Sequence, residues 1–156
     1  LNLREVRGYT YGIRSRFGFR SEAGFFGVFT AVATEVTAPA VSETFSEING
    51  LLNDGPTVEE VTRARDFIAG VFPLQLETPG QVASRIAELM IYDLDDDFFS
   101  TYRERIREVS VQTALEAGRA VLRPQELVVV VVGDGEKVQG PLEDLGYGPV
   151  EVIASI

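Results

Sequence analysis

Leu3-Arg4-Glu5-Val6-Arg7-Gly8-Tyr9-Thr10-Tyr11-Gly12-Ile13-Arg14-Ser15 is the stretch on which the fold turns. Two arginines, two tyrosines and two glycines fall within ten of these residues, and an alternating pattern begins after Gly8. Leu3 to Arg7 reads as the last turn of a helix. Gly8 suits the residue just past its end, because glycine takes the left-handed conformation without a Cβ penalty. From Tyr9 the period changes to two: Tyr9, Tyr11 and Ile13 share one face, and Thr10, Gly12 and Arg14 the other. A helix end running straight into a strand brings the Arg4 guanidinium toward the Tyr11 phenol. That pair offers donors to a carbonyl oxygen that gains negative charge. The same two residues also have a plainer reading. Arg4 is then a cation favoured by the helix macrodipole, and Tyr11 a half-buried strand aromatic.

Working outward, residues 16–24 carry turn residues and 25–34 (FFGVFTAVAT) resume as a strand, giving an antiparallel hairpin with a long connection. The second strand is apolar on both faces, so a central place in a sheet is expected. A helix follows from about Pro39, with Val41, Phe45, Ile48 and Leu52 as its apolar stripe and Glu43 and Glu47 outside; Gly55-Pro56 stops it. Thr57 and Glu60 form a capping box that opens a second helix. Its expected core residues are Val61, Ala64, Ile68, Val71 and Phe72, with a break at Pro73. Thr78-Pro79 starts a third helix; a fourth carries Tyr102 and Ile106; Ser110 caps a fifth that runs up to Pro124. Residues 127–132 (LVVVVV) read as a buried strand, 136–145 as a short helix and 150–153 as a last strand. The order hairpin, helices, strand, helix, strand predicts an α+β fold: a sheet containing an antiparallel hairpin, with several helices packed on one face.

Composition narrows the chemistry. A chain of 156 residues suits one domain with a real core. No apolar run approaches the roughly 20 residues that cross a bilayer. The net charge of −10 argues against nucleic acid, since nothing offsets the phosphates. Absence of cysteine removes thiolate catalysis and sulfur-ligated metal. Absence of histidine removes a Ser-His-Asp triad, an imidazole base and any H-x-x-E-H zinc site from this chain.

Three further constellations are weak. Gly133-Asp134-Gly135-Glu136-Lys137-Val138 lacks the third glycine of G-x-G-x-x-G, and its carboxylates would repel a pyrophosphate. Asp93, Asp95, Asp96 and Asp97 lack calcium-loop spacing; capping by one of them at a helix start explains the run more simply. Glu59 and Glu60 point in different directions on a helix, and Glu60 already serves the capping box.

The pattern L-R-E-x-R-G-x-x-Y-G resembles the signature of the C-terminal, non-catalytic half of the insulinase/pitrilysin-like zinc peptidases, to which the processing peptidases belong. Later segments resemble the family in order and spacing: Thr57 to Val61, then Phe98, Tyr102, Ile106 and Val109, then Leu122-Arg123-Pro124, then Val129 to Asp134. The resemblance implies one half-domain over residues 1–156, N-terminally incomplete by a strand and most of a helix. It implies that Arg4 and Tyr11 reach across a chamber to peptide substrate, while zinc sits on a partner half that carries H-x-x-E-H. It leaves this chain without cofactor and inactive alone. A second reading stays open: a structural or assembly subunit of the same fold with no proteolytic role.

Overall fold

A computed structural model describes residues 2–153 of the chain. The elements in order are a π-helical turn (Asn2–Val6), β1 (Ile13–Gly18), β2 (Phe25–Thr30), α1 (Thr37–Asp54), α2 (Val58–Val71), α3 (Pro79–Ile91), α4 (Tyr102–Glu108), α5 (Val111–Val121) and α6 (Gly135–Glu143), joined in places by short 3-10 turns. The fold is α+β, as the order of patterns predicts. The residues fall into two compact units. One holds the described residues up to Phe17, Phe26–Gly50 and the described residues from Arg123 onward; the other holds Gly18–Phe25 and Leu51–Leu122.

In the first unit β1 and β2 pair as a two-stranded sheet. Their contacts run in opposite senses along the two strands: Phe17 packs on Phe26 with ring centroids 5.1 Å apart, and the Arg16 guanidinium lies 4.9 Å from the centre of the Phe29 ring. β1 begins at Ile13, four residues later than the alternation suggests. β2 has a strand on one side only, so it is an edge rather than a central strand among the described residues. On α1, Ile48 and Ala40 are buried and Val41 and Phe45 half-buried, which bears out the apolar stripe. Phe45 stacks on Tyr147, with centroids 4.4 Å apart. Glu43 is not on a free outer face: Arg7 reaches it at 2.6 Å.

Residues 127–132 and 150–153 are not in strands. β-branched residues favour extended backbone, but a strand also needs a neighbour to complete its ladder. Neither segment has such a neighbour among the described residues.

The second unit is helical. Gly55 follows α1 at φ +79°, the left-handed geometry that ends the helix. Arg119 then donates to the terminal carbonyl of Leu52 at 2.8 Å and to that of Asn53 at 3.3 Å, serving helix-end acceptors that lack an intrahelical partner. Thr57 and Glu60 form the expected capping box on α2, and Thr78 with Gln81 forms another on α3. The Thr57 backbone N–H, and after it the Thr57 hydroxyl, hold the Glu60 carboxyl below its ordinary value of about 4.5. Ser110 caps α5. The buried line of α2 is Val61, Ala69 and, just past its end, Phe72; Ala64 and Ile68 are exposed. Phe72 decides this, because its ring sits 4.7 Å from Tyr102 and 6.1 Å from Phe99 and turns the adjoining face inward. The carbonyl of Ala69 accepts from Arg103 at 3.0 Å. No aspartate caps α4, whose N-cap is Thr101; the Asp97 carbonyl instead accepts from the Ser100 backbone and side chain.

Candidate functional site

The site is built by a short segment pinned at both ends. At its start, Leu3 is 3% exposed and anchors the π-helical turn in the first unit. Asn2 donates to Glu43 and to Glu47, both at 2.8 Å, while Arg7 pairs with the other oxygen of Glu43. Three polar contacts therefore fasten the turn to α1. The turn closes with Arg7 N–H on the Asn2 carbonyl at 2.9 Å and Tyr9 N–H on the Leu3 carbonyl at 2.8 Å. Gly8 makes that wrap-back possible at φ +65°. The expected left-handed glycine is therefore in place, on a turn wound more widely than an α-helix.

Thr10 fixes the other end. Its hydroxyl donates to the Ala31 carbonyl at 2.8 Å, and accepts from the Gly12 N–H at 3.1 Å and from the Thr30 hydroxyl at 2.9 Å. Thr30 also reaches the Gly12 carbonyl at 3.1 Å. A threonine that binds a backbone N–H two residues on competes with the sheet ladder, which is why β1 starts only at Ile13. Sequence reasoning passed over Thr10. Its signal is a threonine on the face opposite two tyrosines, two residues ahead of a glycine.

With Thr10 turned in, Tyr11 is turned out. Tyr11 is 99% exposed, and its phenol makes no hydrogen bond among the described residues. This overturns its reading as a half-buried strand aromatic. Arg4 lies on the exposed side of the π-helical turn, with its Nε 3.2 Å from a carboxylate oxygen of Glu5. Among the described residues no bond joins Arg4 to Tyr11. The structure thus holds both predicted residues on one pinned segment and points Tyr11 outward, without linking the two directly.

The donor set of this chain does not suit zinc. The sequence has no histidine or cysteine, and among the described residues no cluster of three or more carboxylates could hold a metal ion. No helix among them is long and apolar enough to cross a membrane.

Residues 1–67 match the family model described as the peptidase M16 inactive domain. Among solved structures, the chain is similar to a peptidase M16 inactive domain from Pseudomonas fluorescens, with 21% identity and a TM-score of 0.73 over 79% of this chain. The chain spans 29% of the length of that protein. No curated protein matches it significantly. The fold is accordingly like that of a peptidase M16 inactive domain, and the match over residues 1–67 is in keeping with the resemblance to a C-terminal, non-catalytic half.

Proposed function

From its likeness to the peptidase M16 inactive domain, we propose that this chain is one half-domain, the non-catalytic half of a zinc metallopeptidase that works with a catalytic partner half. Zinc and the carboxylate base belong to the H-x-x-E-H-bearing partner, and this chain supplies none of the metal's ligands. Its part is to close over a peptide substrate and present Arg4 and Tyr11 to the scissile region. The observation that carries the reading is Tyr11: a fully exposed phenol, without a hydrogen bond among the described residues, on a backbone held by Leu3, Gly8 and Thr10. An exposed tyrosine on a fixed segment costs little reorganisation when it meets a carbonyl that develops charge. Arg4 would exchange its surface pair with Glu5 for substrate, a small loss, because exposed pairs contribute about 0–1 kcal/mol.

The test is peptide hydrolysis by the assembled pair of halves. Tyr11→Phe keeps the ring and removes the donor, and should lower kcat about 10²–10³-fold, the effect of deleting one oxyanion donor. Arg4→Ala should lower kcat/KM with the two halves still associated. Wild-type rates in both variants would defeat the assignment. A second reading, a proteolytically inactive assembly subunit, draws on the Arg4–Glu5 pair, which already occupies the guanidinium. A tight complex of both halves that cleaves no peptide would favour it.

A further inference from the structure

We infer that Glu43, on α1, is the positioning residue of Arg4: one carboxylate that braces both flanks of the turn from which the guanidinium projects. The inference rests on the reading of Arg4 as a substrate contact, and adds to it the group that sets where Arg4 stands.

The two oxygens of Glu43 serve different residues. One accepts from the Asn2 side-chain amide at 2.8 Å, and the other meets the Arg7 guanidinium at 2.6 Å. Asn2 lies two residues before Arg4 and Arg7 three residues after it, so a single side chain spans the turn around Arg4. The backbone joins the same two residues, from the Arg7 N–H to the Asn2 carbonyl at 2.9 Å. Between them Leu3, next to Arg4, is buried. With both flanks and the adjoining side chain fixed, the freedom left to Arg4 is that of its own rotamers.

No other carboxylate nearby has this reach. Glu47 meets Asn2 alone and holds only one flank. Glu5 sits on the turn itself and moves with it, so its contact with Arg4 cannot fix the turn against α1. Glu43 stands on a separate element, and its side chain is 20% exposed against 57% for Glu5. Water and salt weaken an exposed pair more than a shielded one, which favours the Arg7–Glu43 pair as the lasting tie. Thr10 and Thr30 act beyond Gly8 and make no side-chain bond to residues 2–7 among the described residues.

Glu43→Gln tests the proposal in the assembled pair of halves. The amide keeps the shape but has one accepting oxygen, and its NH₂ must face either Asn2 or Arg7, both of them donors. A small displacement of a substrate contact is expensive, so kcat/KM should fall about tenfold or more. In the Arg4→Ala background the same substitution should cost less than about twofold, because the residue it positions is gone. Amide exchange at Arg7 and Tyr9 should quicken in Glu43→Gln and not in Arg4→Ala. Arg7→Ala removes the same pair from its more exposed side and should show the same coupling to Arg4; it decides the matter if Glu43→Gln does not fold. An undiminished kcat/KM in Glu43→Gln would overturn the proposal. So would an equal loss in both backgrounds, which marks a general effect on the fold, or unchanged exchange at Arg7 and Tyr9. Wild-type kcat/KM in Arg4→Ala alone would defeat the substrate-contact reading itself, and the proposal with it, so the two failures are told apart by different variants.

Discussion

Residues 9–12 and residues 127–132 both adjoin the β2 segment, and both lie outside the hairpin ladder. The first segment is tied down by side chains: Thr10 and Thr30 supply the hydrogen bonds that a neighbouring strand would have given. The second has no such clamp among the described residues, and its alternate valines face outward. The difference shows that extended backbone needs a partner, and that a single hydroxyl with three bonds can stand in for one. It also separates two kinds of exposure. Tyr11 is exposed because its neighbours hold it out, whereas Val130 is exposed because none of the described residues covers it.

Three substitutions probe this contrast. The largest effect is expected at the anchor beneath the first segment. Leu3→Ala deletes a buried side chain and should cost about 2–5 kcal/mol in urea unfolding of the 156-residue chain. A loss below 1 kcal/mol would mean that the segment is not held from that end. Next comes the clamp. Thr10→Val keeps the shape but strands the Ala31 carbonyl and the Gly12 N–H, at about 1–3 kcal/mol. It should also speed amide exchange at Gly12. An unchanged midpoint would break the comparison, since residues 9–12 would then be as loosely held as residues 127–132. The smallest effect belongs to the bare run. Val130→Thr should shift stability by less than about 0.5 kcal/mol, as expected of an exposed site. A loss above 2 kcal/mol would show that this valine is packed after all.

Much of the helical part was legible because its signals are local. Thr57 with Glu60, Gly55 ahead of Pro56, Ser110 and Pro73 each act on residues within one turn, and each falls where the sequence places it. Gly8 belongs with them, since the left-handed step it supplies is a property of one residue. The misread positions depend on distant partners. The inward face of α2 is chosen by Phe72 meeting Phe99 and Tyr102, about thirty residues away, which makes Ala69 core and leaves Ile68 exposed. The late start of β1 depends on Thr10 meeting Ala31. The valine run has strong β propensity, but propensity names no neighbour. At the candidate site, motif spacing singled out Arg4 and Tyr11 but said nothing of Thr10, Asn2 or Glu43, which hold that segment in place.

Glu43 and Glu47 stand one turn apart on α1, a like-charge spacing that strains a bare helix. Asn2 bridges the two carboxylates and Arg7 neutralises one of them. Helix and incoming segment are therefore each electrically unfinished without the other. The like-charge repulsion along α1 is offset by the same Asn2 and Arg7 contacts that hold the segment presenting Tyr11, so the charge pattern of this helix and the outward set of that tyrosine depend on one another.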